Sequence, residues 1–233
     1  MGKPLWKPLK DDKHINMKKI AIFGAGGFGR EVKWLIDDIN EIQPNWEFIG
    51  FFDDDFTGVT KIDPALFLGG FAALEQWTEP LHIVFAIGNP LVKRKIIQKI
   101  TNTNLKFPVL VHPSVQAGKT GVSIGEGSIL CAGTILTIDI QIGRHVILNL
   151  DCTVGHDTVI GDFASFMPAV NISGEVTAGE CVYGGTGAKI INQVEIGEGT
   201  IIGAGAVVAK SLPPNCTAVG IPAKPVKFHT VLS

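Results

Sequence analysis

The apolar residues in the first half of the chain show two alternating kinds of spacing. KKIAIFGAG (18–26) and WEFIGFFDDD (46–55) are short apolar runs typical of β-strands, and FGREVKWLIDDI between them has apolar residues at helical spacing. LHIVFAIGNP, PLVKRKIIQKI and LKFPVLVHP then repeat the order strand, helix, strand. Strands that alternate with helices predict a parallel sheet. We therefore expect a small α/β domain over residues 17–111.

The second half has a strict six-residue period. From Ile124 onward 15 hexads follow without an insertion, and 13 of their first positions are Ile, Leu, Val or Phe. The second position is Gly in eight hexads, where we expect it to relieve a corner, and the fifth is mostly small or β-branched. This period is typical of a β-solenoid with the first position inside. We expect the solenoid over 112–216, with the α/β domain and residues 217–233 capping its ends.

Composition and charge narrow the possible partners. A net charge of −2 over 233 residues gives no electrostatic reason to expect nucleic acid or an anionic membrane surface. No apolar run approaches the roughly 20 residues of a membrane helix, and residues 1–16 lack the apolar core of a secretory signal, so we interpret them as a flexible leader. The four cysteines show no metal-type spacing, which predicts reduced thiols in a cytoplasmic protein without a bound metal.

The turn after the first predicted strand carries a glycine motif. Residues 24–29 (GAGGFG) match G-x-G-x-x-G between a strand and a helix, where glycines let the backbone approach a phosphate. The short domain fits a mononucleotide or nucleotide-sugar site better than a dinucleotide site, and a tight turn without a ligand is the alternative. The predicted substrate-binding residues are Gly24, Gly26, Gly27, Phe28 and Gly29, with Asp53 and Asp54 at the end of the next strand.

A later strand ends in Gly88 and Asn89, at the edge where ligands bind in such sheets. We include both as candidate substrate-binding residues. An ordinary strand-to-helix turn, with Pro90 near the helix start, is an equal alternative.

One histidine lies in the hexad register at a position that the solenoid leaves free. His156 is the third residue of the hexad VGHDTV. Mainly polar residues share its column, which predicts that the column faces solvent or a neighbouring chain: Glu126, Arg144, Asp162, Pro168, Glu180, Asn192 and Lys210. The register disfavours a core histidine and leaves a plain surface histidine and a functional one equally open.

The order of these features resembles one protein family. A Gly-rich α/β domain, an HPS segment, a hexad motif N-x-x-x-x-[VI]-x-H-[DE]-x-x-[IV]-G-[DE] and a final G-[IV]-P-A-K resemble the hexapeptide-repeat sugar acetyltransferases that include NeuD and PglD. The matching residues are Asn149, Val154, His156, Asp157, Ile160, Gly161, Asp162 and 220–224. The resemblance implies a small Rossmann-like parallel sheet followed by a left-handed parallel β-helix with three hexads in each triangular coil. Its handedness departs from the usual right-handed crossover.

The same resemblance implies transfer of an acetyl group from acetyl-CoA to an amine or hydroxyl of a nucleotide-linked sugar, in cell-surface glycan biosynthesis. His156 would be the general base, Asp157 would orient its ring, and Asn149 would line the site. Adjacent strand residues point oppositely, so the His156–Asp157 pair requires a corner. Family members carry a second histidine where this chain has Ser165, which puts that histidine's role and the acceptor sugar in doubt. Ser165 can still donate a hydrogen bond, and we include it among the candidate substrate-binding residues.

The acetyl-CoA would lie between adjacent β-helices of a homotrimer. The resemblance assigns its contacts to Gly185, Thr186, Gly187, Ala204, Gly205, Gly220, Pro222, Ala223 and Lys224, although plain solenoid corners would also explain the glycines.

Three other functions stay open: a serine-acetyltransferase-like enzyme, a zinc carbonic anhydrase and a non-catalytic nucleotide-sugar-binding trimer. The anhydrase needs three imidazoles, and only His112, His145 and His156 lie near or in the repeat.

Overall fold

The computed structural model of the protein describes residues 17–55 and 61–229. The expected leader over 1–16 and the last residues of the expected cap, 230–233, lie outside the described residues. The first part of the chain contains β1 (Lys18–Phe23), α1 (Gly27–Ile42), β2 (Trp46–Phe52), β3 (Phe67–Gly69), α2 (Phe71–Glu75), β4 (Leu81–Phe85), α3 (Pro90–Ile97) and β5 (Leu105–Lys106), with a 3₁₀ turn at Pro64–Leu66.

These strands form one parallel sheet in the order β3-β2-β1-β4-β5, which confirms the Rossmann-like domain. The helix α1 packs on the sheet through one apolar stripe, because Val32, Leu35 and Ile36 recur at helical spacing and are all buried. In a parallel sheet the carboxyl ends of the strands meet at one edge. The glycine loop, Asp53 and Gly88 follow β1, β2 and β4, so the predicted substrate residues share that edge.

The second part of the chain is built from short strands. They are β6 (Leu110–Val111), β7 (Gln116–Ala117), β8 (Ser123–Ile124), β9 (Ile129–Leu130), β10 (Ile135–Leu136), β11 (Gln141–Ile142), β12 (Ile147–Leu148), β13 (Thr153–Val154), β14 (Val159–Ile160), β15 (Ser165–Phe166), β16 (Asn171–Ile172), β17 (Thr177–Ala178), β18 (Tyr183–Gly184), β19 (Lys189–Ile190), β20 (Glu195–Ile196), β21 (Ile201–Ile202), β22 (Val207–Val208), β23 (Cys216–Val219) and β24 (Lys224–Phe228).

The strands wind into a left-handed parallel β-helix, as expected. The first face contains β6, β9, β12, β15, β18, β21, β23 and β24, the second runs from β7 to β22, and the third runs from β8 to β20. Ser165 pairs with Ile147 on one side and with Tyr183 on the other, so one coil takes 18 residues, or three hexads. First hexad positions such as Leu148 and Phe166 fill the interior.

The role expected for the second-position glycines is wrong. The left-handed backbone at each corner falls on the fourth hexad position, for example on Asp157 (φ 56°) and Phe163 (φ 62°). A second-position glycine is needed for close stacking of the coils: a Cβ on Gly161 would lie 2.6 Å from the backbone nitrogen of Glu180 in the next coil. Glycine at the second position therefore permits coil-to-coil contact and does not turn the chain.

The α/β domain packs along the side of the solenoid, so the expectation that it caps an open end is wrong. Ile129 and Ile147, which point outward from the first face, join the apolar core around Val32 and Ile36. The boundaries also shift. Leu110 pairs with Ile129 and already belongs to the first face, whereas 112 was the expected start. At the other end β23 pairs in parallel with β21 and antiparallel with β24, so the expected cap is a hairpin on the first face.

The helices of the described residues all lack the length and apolar character that crossing a membrane requires.

Candidate active site

His156 and Asp157 lie at the corner that joins β13 of the second face to β14 of the third. The left-handed backbone of Asp157 turns two adjacent side chains toward each other, and His156 Nδ1 lies 2.8 Å from Asp157 Oδ2. The expectation that this pair needs a corner is met. The side chain of His156 is 55% exposed. A ring that donates Nδ1–H to the carboxylate keeps Nε2 as a free acceptor, which is the arrangement of a general base.

The ring of His156 lies against Gly174 of the next coil. A Cβ on Gly174 would lie 2.6 Å from His156 Nε2 and 2.7 Å from Cε1, so no larger residue fits while the ring keeps this position. Gly174 is not among the residues that the sequence predicted for the site. The sequence does contain a signal for it: Gly174 is the third residue of its hexad, and it is a glycine in an outward column of mainly polar residues.

Asn149 does not lie beside His156 within one chain. It occupies the corner between β12 and β13, one corner before His156, and it is 6% exposed. Its Oδ1 accepts a hydrogen bond from the backbone nitrogen of Leu150 at 2.7 Å.

Ser165 is also separated from His156. It points outward from the first face and is fully buried beneath the α/β domain, where Lys93 Nζ donates to its Oγ at 3.0 Å. The corner of His156 joins the second and third faces and therefore lies opposite the first face. Within one chain, the structure brings His156 together with Asp157 and Gly174 and leaves Asn149 and Ser165 elsewhere.

The glycine loop has the shape of an anion site. A Cβ on Gly29 would lie 1.9 Å from the carbonyl oxygen of Gly24, so glycine is required there for the helix to start against the loop. By contrast, within the described part of the chain a Cβ on Gly26 would meet nothing within 4 Å, and one on Gly27 would meet only Arg30 Nη2 at 3.9 Å. Among the described residues, no side chain caps the start of α1. The first N–H groups of the helix therefore have no side-chain partner among those residues, and helix N-termini of this kind bind phosphates. Phe28 packs partly buried against the domain core.

The two predicted aspartates have different surroundings. Asp53 Oδ2 accepts a hydrogen bond from the backbone nitrogen of Ala25 at 2.7 Å, so Asp53 is part of the glycine loop. Asp54 Oδ1 accepts from the backbone nitrogen of Phe71 at 2.7 Å, at the start of α2. Asp54 thus serves the start of α2, while Asp53 holds the glycine loop and, through Oδ1, the backbone nitrogen of Asp55 at 2.9 Å.

Gly88 and Asn89 form one wall of a cavity between the α/β domain and the first face. Asn89 Oδ1 accepts from the backbone nitrogens of Leu91 and Val92, both at 3.1 Å, and so caps α3 as an ordinary strand-to-helix turn would. The same turn borders a volume of about 330 Å³. Its lining residues are Gly88, Asn89, Pro90 and Leu91 on one side and Cys181, Tyr183, Gly199 and Ile201 on the other. The turn therefore combines a capping role with a place in a cavity wall.

The predicted acetyl-CoA residues lie at the corner between the first and second faces. Gly187 (φ 72°) and Gly205 (φ 66°) have left-handed backbones, and a Cβ on either would meet no atom of residues 17–55 or 61–229 within 4 Å. Asp157 and Ala169 adopt the same backbone without being glycine, so the turn alone does not require one. Thr186, Ala204 and Gly205 are exposed, while a Cβ on Gly185 would lie 2.6 Å from Ala204 N. The backbone along this corner is therefore accessible. Gly220, Pro222 and Lys224 are exposed in and beside the terminal hairpin, and Ala223 is buried.

The three histidines near the repeat do not converge. His112 Nε2 lies 2.8 Å from Asp38 Oδ2, and the ring of His145 stacks on Phe163 in the interface between the domains. Among residues 17–55 and 61–229, no three His, Cys, Asp or Glu side chains are arranged to hold a metal ion.

Comparisons with known proteins agree with this architecture. Residues 19–100 match the family described as the PglD N-terminal domain. The GDP-perosamine N-acetyltransferase of Escherichia coli O157:H7 is 30% identical over 218 residues, which are 91% of this chain and 97% of that protein. A serine acetyltransferase of Buchnera aphidicola subsp. Schizaphis graminum is 32% identical over 169 residues. That match covers 71% of this chain, and the chain spans only 57% of the length of that enzyme.

Two solved structures resemble the whole described fold. WeeI from Acinetobacter baumannii AYE superposes with a TM-score of 0.79 at 31% identity, covering 90% of this chain and 100% of that one. PerB from Caulobacter crescentus, solved in complex with CoA and GDP-perosamine, superposes with a TM-score of 0.79 at 30% identity, covering 90% and 97%.

The fold and the comparisons define a hexapeptide-repeat acyltransferase. Within that class, the chain belongs to the NeuD/PglD-type family of sugar acetyltransferases.

Proposed function

We propose that the protein transfers an acetyl group from acetyl-CoA to an amine of a nucleotide-linked sugar, with His156 as the general base. The observation that carries the proposal is the exposed His156–Asp157 pair, with Nδ1 engaged and Nε2 free, on a fold similar to that of PerB in complex with CoA and GDP-perosamine. Because the related enzymes act on amino sugars, nitrogen is the preferred acceptor atom, and a role in making cell-surface glycans follows as part of the same proposal.

In the proposed reaction the nitrogen of the acceptor amine attacks the thioester carbon, and His156 Nε2 takes a proton from that amine as the bond forms. The new C–N bond replaces the C–S bond, and coenzyme A leaves as the thiolate, which regains the proton from the imidazolium. Asp157 Oδ2, at 2.8 Å from Nδ1, stabilises the imidazolium and holds the ring in one orientation. Contact with Gly174 holds the ring against the solenoid wall.

The acceptor is proposed to bind with its diphosphate at the glycine loop. The uncapped N–H groups at the start of α1 and the lack of side chains on Gly26 and Gly27 suit a phosphate, and Asp53 would accept hydrogen bonds from a ribose. The sugar would then extend along the same sheet edge to the cavity beside Gly88 and Asn89, which has room for one sugar ring.

The donor is proposed to bind along the corner that carries Gly187 and Gly205. Glycine leaves the backbone open at two successive coils there, and the exposed Thr186 and Ala204 extend the strip. This open strip supports a long, narrow ligand such as the pantetheine arm. The hairpin with Gly220, Pro222, Ala223 and Lys224 would lie toward the adenine end.

The reaction is proposed to take place between chains of a homotrimer. The acceptor cavity adjoins the first face, whereas His156 projects from the opposite corner of the same chain, so one chain cannot bring both to one substrate. A neighbouring chain would then supply His156 to the acceptor cavity.

Coenzyme A release, measured with UDP-, GDP- and dTDP-linked 4-amino sugars, tests the activity. We expect turnover with at least one of them and an acetamide product identified by mass. L-serine is the matched control acceptor. Turnover with L-serine alone would contradict the proposal in favour of a serine acetyltransferase. Tight binding of a nucleotide sugar without turnover of any acceptor would contradict it in favour of a non-catalytic binding protein.

Complementation tests the shared site. His156→Ala removes the base, and Gly26→Asp places a negative charge in the open space of the glycine loop. Each variant alone should be nearly inactive. Trimers that contain both should regain activity, since some sites then combine an intact loop with an intact His156. Mixed trimers no more active than the separate variants would contradict a site formed between chains.

A further inference from the structure

A lysine side chain is buried between the two domains. Lys93 lies in the first turn of α3 and is 1% exposed. Its Nζ donates to Ser165 Oγ at 3.0 Å, and it forms no ion pair with any residue in 17–55 or 61–229. A charged group is seldom buried with a neutral hydroxyl as its hydrogen-bond partner.

The amine is costly for stability. Burial lowers the pKa of Lys93 to about 7, with only the Cys181 thiol opposing the shift. An unbranched apolar side chain such as methionine would fill much of the same space without desolvating an amine. A group that breaks the rules of core composition without an evident gain in stability is often retained for function.

Lys93 is tied to the turn that forms one wall of the cavity. Its backbone nitrogen donates to the carbonyl oxygen of Asn89 at 3.0 Å, and Asn89 in turn caps the same helix. Pro90 is held from the other side, because its carbonyl oxygen accepts from Cys181 Sγ at 3.9 Å. A displacement of Lys93 would therefore move Asn89 and its neighbours as one unit.

Ser165 is tied to the opposite wall. It pairs with Tyr183 along the first face, and Tyr183 pairs with Ile201. Tyr183 and Ile201 both line the cavity. The hydrogen bond from Lys93 Nζ to Ser165 Oγ thus joins the two walls of the cavity from behind, without either side chain lining it.

We infer that Lys93 and Ser165 form a positioning pair that sets the width of the cavity between the Gly88–Leu91 turn and the first face, and thereby determines which acceptor sugar fits. The inference rests on the proposed function, since it takes this cavity as the sugar's binding place. Lys93 and Ser165 act through the walls and do not contact the reacting atoms.

The test compares Lys93→Met, Ser165→Ala and the double variant with the wild type. Lys95→Met is the matched control, because Lys95 is an exposed lysine on the same helix. For each protein, KM and kcat are measured for several nucleotide-linked amino sugars, together with KM for acetyl-CoA and the thermal unfolding midpoint. Ser165→Thr keeps the hydroxyl and serves as the conservative variant.

We expect each single variant to raise the acceptor KM by about tenfold, or to reorder the preference among sugars, since a shift of about 1 Å in a binding wall has effects of at least this size. KM for acetyl-CoA should stay within about twofold. The double variant should change the acceptor KM no more than the larger single change, because the two side chains act as one pair. Lys95→Met should match the wild type, and Ser165→Thr should retain the acceptor preference.

Unchanged acceptor KM and preference in the folded Lys93→Met and Ser165→Ala proteins would overturn the inference, even if their unfolding midpoints fall. If Lys93→Met does not fold, Ser165→Ala decides by the same criterion. A wild type that acetylates no nucleotide-linked sugar would overturn the proposed function itself, and the inference with it. The two failures are distinguishable because the first leaves the wild-type activity intact.

Discussion

Adding one methyl group at Gly174 should disable the base without unfolding the protein. The backbone of Gly174 is not left-handed, so Gly174→Ala introduces no backbone strain. The new Cβ would lie 2.6 Å from His156 Nε2, and ordinary van der Waals contact begins at 3.4 Å. The ring must therefore move by about 0.8 Å, and misplacement of a catalytic group by about 1 Å costs on the order of 10²-fold in rate.

The ring can make this movement at little cost in stability, because the His156 side chain is 55% exposed and is held by a hydrogen bond to an exposed aspartate. We therefore expect Gly174→Ala to lower kcat by about 10²-fold and to leave KM for acetyl-CoA nearly unchanged. The assay is steady-state coenzyme A release, with the thermal unfolding midpoint measured in parallel.

Asn192→Ala is the matched control. Asn192 is exposed in the same outward column, one coil beyond Gly174, so the variant leaves the same methyl side chain at the equivalent corner, where no histidine lies. We expect it to behave as the wild type. A well-folded Gly174→Ala protein whose kcat lies within threefold of the wild type would refute the reasoning, since the reactive ring would then not occupy this position.

Three further predictions follow from other parts of the structure. Asp157→Asn should lower kcat by about 10–100-fold through loss of the carboxylate that orients the ring. Asp139→Asn is the control at the same left-handed position one coil earlier (φ 54°), and it should leave kcat unchanged. Equal losses of kcat in the two variants would contradict a functional His156–Asp157 pair. Gly205→Asn should raise KM for acetyl-CoA about tenfold, because the added side chain enters the open space proposed for the donor. Stability should not fall, because asparagine tolerates this left-handed backbone, and an unchanged KM would exclude this corner from the donor site. Burial lowers the pKa of Lys93 from an ordinary 10.5 to about 7, and the polar side chains around it are Cys181, Ser165 and His145. Between pH 7 and pH 10.5 the unfolded chain therefore binds a proton that the folded chain does not bind. The free energy of unfolding should therefore fall as pH is lowered from 10.5 to 7; urea unfolding should show a smaller fall in Lys93→Met, and an equal fall would contradict the assignment.

The solenoid and the place of His156 were predictable because a six-residue period fixes which side chains point inward. Leu148 and Phe166 fill the core and His156 is exposed, as the register predicts. The period could not reveal how the corner turns. The left-handed residue is at the fourth hexad position, where residues as different as Asp157 and Phe163 stand, so the period alone does not single that position out.

Tertiary contacts account for what the sequence could not reveal. Ser165 occupies an outward position, which a repeat alone assigns to solvent, but the α/β domain covers the first face and buries it. Lys93 would be placed on an exposed helix surface by its charge, and it is buried in the same interface. Neither the covered face nor the pairing of these two residues can be inferred from hydrophobic spacing, because each depends on how one domain docks on the other.

Removal of the His156 imidazole tests the central claim most directly. His156→Ala leaves the solenoid core untouched, so the protein should fold, bind acetyl-CoA with nearly the wild-type affinity, and release coenzyme A in the presence of its acceptor about 10²–10⁴-fold more slowly. A kcat less than tenfold below that of the wild type would contradict the assignment of His156 as the general base.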